Sequence, residues 1–286
     1  MLPKKEIRLH QRLQLGLIHL AVAMTLVPIN STLNRVMIKE LAISATLVAV
    51  LASLPYLFSP IQVAIGSFAD RHPLFGKHRT PYIVAGLLLC VLGVIVSPYA
   101  AFAMAENFWG GLALGLVAFI AWGMGYNLSA VSYLSLASEM SGEKGRSRTV
   151  AVMFFMMITS IILTAIAISR MVDPYTPQAV LRAFWAVGLA ALALGLLGVF
   201  QLEPRREADQ ASGDVHYTWG NMLRAVLGNR QAAYFFWYLI ILLAAILGQD
   251  ILLEPFGAEA FGMTVRETTR ITAIWGGCML AALAAT

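Results

Sequence analysis

The chain has 286 residues, of which 59% are hydrophobic and only 12% are charged, with a formal net charge of +5. A soluble domain carries about twice that share of charged residues, so the composition excludes an ordinary water-soluble protein and favours a bilayer as solvent. The basic residues form short clusters between apolar runs rather than one continuous basic face, which argues against a nucleic-acid partner.

Apolar runs long enough to span a bilayer recur along the chain without the alternation that marks β-strands. We predict eight spanning helices, at residues 13–37, 42–65, 82–104, 109–136, 150–168, 183–202, 232–248 and 271–285. The predicted fold class is therefore an all-α integral membrane protein. The first run is basic and then apolar, but no small-residue cleavage site follows it, so we expect a retained helix.

Lysine and arginine are divided unequally between alternate loops. Fourteen lie on the side that carries the N-terminus, and six lie on the other side. Because basic residues accumulate in cytoplasmic loops, we predict a cytoplasmic N-terminus.

A long charged loop follows the sixth predicted helix. Six helices, a polar cytoplasmic linker and then further helices are typical of a transporter built from two halves. We therefore predict a six-helix bundle at 1–202, a cytoplasmic linker at 203–230 and the start of a second bundle at 231–286. The linker contains a candidate interfacial helix, with a plain solvated loop as the alternative. Only two helices follow it, so the second half is expected to be incomplete in this chain.

The first predicted helix must continue through a polar stretch. Its apolar part, residues 13–27, spans about 22 Å, which is short of a hydrocarbon core of about 30 Å. Asn30, Asn34 and Arg35 therefore fall at membrane depth, where polar groups face a wet cavity or other helices. Pro28 removes one backbone hydrogen bond and permits a kink. We predict cavity-lining residues here, with hydrogen bonding between helices as the alternative.

The seventh predicted helix repeats this pattern. Gln249, Asp250 and Glu254 follow about seventeen apolar residues, much as the polar stretch follows the apolar part of the first helix. We predict that they line the same cavity; the alternative is that they mark the outer membrane interface.

The loop after the second predicted helix carries the most specific motif. We interpret Gly66 as a point where two helices approach closely, and Asp70 as the partner of a helix N-terminus in the opposite half. Arg71 and Arg79 would pair with carboxylates or anionic headgroups, and Gly76 precedes the second basic cluster. Together these residues would latch the cytoplasmic side. A plain basic loop would not explain the spacing from Gly66 to Asp70.

This loop resembles the signature loop of the major facilitator superfamily, with three extra residues before Gly76. Residues 72–76 and 79–83 are similar to the bacteriochlorophyll delivery branch of that superfamily, the PucC and LhaA type. Residues 33–41 and 249–257 are similar to the first-helix and seventh-helix signatures of that branch. Two positions depart from the pattern: Lys77-His78 replace Trp-Arg, and Glu139 replaces an aspartate.

The resemblance implies a major-facilitator fold, here its first six-helix half plus the first two helices of a second half. It implies a non-enzymatic assembly factor that binds or delivers (bacterio)chlorophyll, with carotenoid as a second candidate, for light-harvesting complex biogenesis. Implied partners are antenna polypeptides, pigment-synthesis enzymes and membrane lipids. The implied location is a bacterial inner membrane, photosynthetic or intracytoplasmic.

His19 is the only histidine inside a predicted spanning run. A neutral imidazole can bind a metal, so His19 is the best candidate ligand for a chlorophyll magnesium, with a hydrogen bond to a neighbouring helix as the alternative. The rival function is an ordinary small-molecule transporter, with Asn30, Asn34, Arg35 and Asp250 as its substrate or proton site. No nucleophile–base pair, metal-ligand spacing or phosphate loop is present in the sequence, so we do not expect an enzyme.

The topology predicts which loops a membrane-impermeant thiol reagent reaches from outside the cell. A cysteine at Ser212 should stay unlabelled because the linker is cytoplasmic, whereas a cysteine at Thr176, between Arg170 and Arg182, should react. Strong labelling at position 212 in intact cells would contradict the orientation.

Overall fold

The computed structural model describes residues 7–57, 62, 66, 68–69, 72–74, 76–203 and 228–285. Within these residues all regular structure is helical, apart from one isolated bridge between Leu74 and Lys77. The predicted all-α class is confirmed for the described part of the chain. The candidate interfacial helix of the linker lies at residues 204–227, outside the described residues.

A helix lies over each of the eight predicted runs. Their bounds are α1 Leu9–Met24, α2 Ala45–Leu57, α3 Thr80–Glu106, α4 Phe108–Glu143, α5 Gly145–Met171, α6 Pro177–Val199, α7 Arg230–Phe261 and α8 Val265–Ala285. Two π-helical segments, π1 Pro28–Leu33 and π2 Val36–Glu40, extend α1. Five described stretches are long and apolar enough to cross a membrane: the first, from Leu9 to Glu40, and helices α3 to α6. The chain is therefore a multi-pass membrane protein.

Local sequence signals explain where several helices begin and end. The Asn107 side chain accepts a hydrogen bond from the Gly110 amide at 3.3 Å and caps α4. The Thr176 hydroxyl accepts one from the Ala179 amide at 3.1 Å, and Pro177 opens α6. Gly142 has φ 61°, a conformation open mainly to glycine, and it separates α4 from α5.

The first helix continues through its polar part, as its length predicted, but not as an α-helix. Pro28 has no amide hydrogen and cannot make the regular bond to the fourth residue before it. The chain adopts wider turns from Pro28 onward, and Leu41 N–H bonds Val36 O at 3.0 Å across five residues. Asn30 therefore lies in π-helical turns, and Asn34 lies between the two π-helical segments.

Helices α3 and α4 pack backbone to backbone through glycines. A Cβ placed at Gly125 would lie 2.3 Å from the backbone nitrogen of Cys90, and one at Gly93 would lie 2.5 Å from that of Trp122. The large side chain of Trp122 is fully buried beside this contact. Small residues that bring two helices this close are a common source of packing energy in membranes.

Replacing Gly125 with alanine should destabilise the protein by about 1–3 kcal/mol, because the new methyl group meets immovable backbone. The matched control is Gly277→Ala in α8, where, in the described part of the chain, no atom beyond the adjacent backbone of that helix lies within 4 Å of the new Cβ. That change should be neutral or slightly stabilising, since alanine is the better helix former. Thermal unfolding in mild detergent measures both, and equal midpoints would contradict the close approach.

Candidate functional site

A cavity of about 210 Å³ lies between π1, α5 and helices α7 and α8. Its walls are mostly apolar, and the polar or aromatic side chains that line it are Asn30, Ser31, Tyr56, Glu254, Thr272 and Trp275. Ligand sites are commonly concave and apolar with a few convergent polar groups, so this cavity is a candidate binding site.

The Glu254 carboxylate is the most deeply buried acidic group described, at 2% exposure. Ser31 of π1 donates a hydrogen bond to Glu254 Oε1, and Thr272 of α8 donates another at 2.7 Å. Thr269 donates to Oε2 at 3.5 Å. The carboxylate therefore joins the first helix to both α7 and α8. A carboxylate this deeply buried differs from the alternative, a residue that marks the outer membrane interface.

The polar residues predicted on the first helix separate into different environments. Asn30 lines the cavity, and its Oδ1 has no hydrogen-bond partner in the described part of the chain. Asn34 is fully buried, and its Nδ2 donates to Asn30 O at 3.0 Å. Arg35 is not among the residues that line the cavity. Its side chain donates to Glu40 Oε1 at 2.5 Å and to Met263 O at 3.2 Å.

The seventh-helix residues are also divided. Glu254 lies in the cavity, whereas Gln249 is exposed and is not among the residues that line it. The side chain of Asp250 lies outside the described residues. Of the five predicted cavity residues whose side chains are described, Asn30 and Glu254 lie together around the cavity.

Ion pairs join the turn between α7 and α8 to the first six helices. Lys39 Nζ lies 3.0 Å from Glu259 Oε1, and Arg266 Nη1 lies 2.7 Å from Asp173 Oδ2. Tyr175 lies close by; burial, followed by the nearby Glu40 carboxylate, raises the pKa of its hydroxyl. These contacts lie near the Arg35 side chain and away from the motif loop.

The motif loop is described in part, since Asp70 and Arg71 lie outside the described residues. Gly76 has φ +72°, and it lies in a tight turn closed by two hydrogen bonds of 3.0 Å between Leu74 and Lys77. A Cβ at Gly66 would meet Val131 Cγ1 at 3.4 Å, an ordinary contact. The role of Gly66 in the packing of two helices stays a prediction.

Arg79 is held by two glutamates. Its Nη2 and Nε donate to Glu139 Oε1 at 2.8 and 3.0 Å, although Glu139 departs from the aspartate of the resembled pattern. The backbone amides of His78, Arg79 and Thr80 donate to the Glu203 carboxylate at 2.6–3.2 Å. A carboxylate at a helix N-terminus is favourable, so Glu203 anchors the start of α3 to the end of α6. No signal in the sequence marks Glu203 as a partner of this loop.

His19 lies in an aromatic environment away from the cavity. It is 6% exposed, and its ring centroid is 5.1 Å from that of Tyr133 and 5.2 Å from that of Phe154. Its Nδ1 has no hydrogen-bond partner among the described residues, so the alternative of a bond to a neighbouring helix is not seen at this atom. Phe154 and Phe155 are exposed at the surface of α5.

Comparison with known proteins identifies the family. Residues 32–286 match the family described as PUCC protein. The chain is 31% identical over 283 residues to Protein PucC of Cereibacter sphaeroides, covering 95% of this chain and 61% of that protein. It is 30% identical over 287 residues to Protein PucC of Rhodobacter capsulatus, with the same coverage of 95% and 61%.

A third relative is the bacteriochlorophyll synthase 44.5 kDa chain of Rhodobacter capsulatus, 31% identical over 267 residues, covering 93% of this chain and 61% of that protein. The chain thus spans about three-fifths of the length of these relatives. The family match extends from the polar half of the first helix to the last residue, and it includes the motif loop and Glu254. The chain therefore belongs to the PucC protein family.

Proposed function

We propose that this chain belongs to a non-enzymatic membrane assembly factor that binds (bacterio)chlorophyll and delivers it during light-harvesting complex biogenesis. Family membership over residues 32–286 carries the proposal. One relative is named as a bacteriochlorophyll synthase chain, which links the family to this pigment. Because the chain spans about 61% of its relatives, the proposal concerns the protein to which those relatives correspond at full length.

The surroundings of His19 support a pigment site that opens toward lipid. A chlorin is flat, large and apolar, so it suits an exposed apolar surface better than a small enclosed cavity. Phe154, 43% exposed, covers the His19 ring edge-on, and Phe155 is 56% exposed beside it. If the Phe154 ring turned outward, the unpartnered imidazole would become available as an axial ligand to magnesium. The pigment is cargo here, and the protein supplies a ligand and an apolar wall.

The proposal includes partners and a location. Antenna polypeptides with a single spanning helix could dock in the same lipid-facing groove, and pigment-synthesis enzymes would supply the pigment. The protein would lie in a bacterial inner or intracytoplasmic membrane, with a cytoplasmic N-terminus as the loop charges predict. A major-facilitator fold, with a second half completed beyond α8, remains part of this proposal, as does carotenoid as a second pigment.

A specific observation favours a second candidate function, a small-molecule transporter. The cavity beside Glu254 lies between the first six helices and the start of the following ones, where two-half transporters bind substrate. Uptake of a polar solute by a protein that carries neither pigment nor antenna partners would favour this candidate over the first.

Substitution of His19 tests the pigment site. The full-length protein, purified in mild detergent, should show chlorin absorption, and His19→Ala should lower the bound pigment several-fold while expression is unchanged. His10→Ala is the matched control, since His10 is an exposed histidine on the same helix and should leave the pigment content unaltered. Pigment retained in full by the His19 variant would remove this residue from the site.

A further inference from the structure

The Glu254 cavity presents hydrogen-bond acceptors to its interior. When it is ionised, the carboxylate of Glu254 accepts hydrogen bonds and donates none. The Oδ1 atom of Asn30, which is also an acceptor, is buried without a partner among the described residues. The hydroxyls of Ser31 and Thr272 are already committed, because both donate to Glu254 Oε1. An occupant that supplies hydrogen-bond donors would therefore find acceptors at Glu254 and Asn30.

The charge of Glu254 is only partly compensated. Its three hydroxyl partners, Ser31, Thr269 and Thr272, are neutral. Arg35 is the buried cation on the same stretch of chain as Ser31, and its described bonds are to Glu40 and to Met263 O. Because a buried carboxylate is costly unless it is both hydrogen-bonded and paired, a positive charge in the cavity would complete its compensation.

The walls define the rest of the ligand. Leu26, Val27, Ile161 and Leu253 make the cavity largely apolar, and the Trp275 ring adds a face on which a cation can rest. A volume of about 210 Å³ is smaller than that of sites for drug-sized molecules. The cavity lining does not include His19, Tyr133 or Phe154, so this site is separate from the one beside His19.

We propose that this cavity binds a small organic cation: a primary ammonium group that donates to Glu254 and Asn30, on a compact apolar or aromatic body. This proposal deepens the second candidate function by naming a ligand class, but it holds whether the ligand is transported or only bound. It does not depend on the pigment proposal, because the two sites use different residues.

Three probes of similar size separate charge from shape: 2-phenylethylammonium, neutral 2-phenylethanol and anionic 3-phenylpropionate. Calorimetric titration of the full-length protein in detergent should show the ammonium binding at least about tenfold more tightly than either other probe, the size of one desolvated charge-assisted hydrogen bond. Equal binding of the anion and the ammonium, or no binding of any probe, would overturn the proposal.

Variants of the chain test whether binding occurs at this cavity. Glu254→Gln should weaken the ammonium probe about tenfold or more, since it removes the charge and keeps the shape. Glu259→Gln is the control on the same helix: Glu259 is exposed and pairs with Lys39, so affinity should stay within about twofold. Wild-type affinity in Glu254→Gln would overturn the proposal.

A second route covers the case in which the Glu254 variant fails to fold. Ile161→Trp keeps the carboxylate and fills the cavity from α5, so it should abolish probe binding; undiminished binding would place the ligand elsewhere and overturn the proposal. Absorption of the same preparations reports pigment separately. If the Glu254 or Ile161 variant loses ammonium binding but retains pigment, the two sites are independent. If no preparation contains pigment, the pigment-delivery function is contradicted and the cation site is unaffected.

Discussion

The polar half of the first helix depends on one constraint: groups placed in hydrocarbon must find their partners within the protein. Ser31, Thr32 and Asn34 are buried, and each has a described hydrogen bond to α7, α8 or the first helix itself. The π-helical turns that begin at Pro28 set the positions from which these bonds are made. The attachment of α7 and α8 to the first six helices follows from this polar face, with Glu254 at its centre.

The length of each apolar run made the helices predictable, because bilayer thickness fixes how many residues a span requires. Length also predicted that the first helix continues to Arg35. The π-helical geometry was not predictable, since Pro28 permits an α-helical kink as readily as wider turns. Burial of Glu254 could be proposed from its place after an apolar run, but its hydroxyl partners on α8 could not, because no sequence interval relates them.

The contacts of the motif loop and of the glycines show a second limit on what the sequence can predict. At Gly66 the closest described neighbour of a Cβ would be a side chain at an ordinary distance. At several glycines of the apolar helices, among them Gly93 and Gly125, a Cβ would instead meet backbone atoms within 3 Å. The contacts of Glu203 could not be predicted, because its partners are backbone amides more than a hundred residues away. Every residue except proline has such an amide, so the sequence does not indicate which ones are bonded.

Contacts between the first six helices and α7–α8 differ in strength. The pairs Lys39–Glu259 and Arg266–Asp173 are exposed to solvent, with side chains between 38% and 58% accessible. Such pairs contribute about 0–1 kcal/mol each, because water screens them and ordering long side chains has an entropic cost. Glu254 is buried, and removal of one of its hydroxyl partners would leave a buried carboxylate with one hydrogen bond fewer. The buried carboxylate, more than the surface pairs, therefore determines how firmly these elements are joined.

The first helix connects two sites with different chemistry. His19 and Ser31 are twelve residues apart, roughly 18 Å along a helix, so an occupant of one site does not touch an occupant of the other. The proposed pigment site lies beside the exposed Phe154, and the cavity lies among π1, α5, α7 and α8. Any influence of one ligand on the other would therefore pass through the first helix or through α5, which carries Phe154 beside His19 and Ile161 in the cavity wall. On the first helix, π1 begins at Pro28, three residues before Ser31, so the stretch between the two sites is mostly α-helical and meets the wider turns only at the cavity.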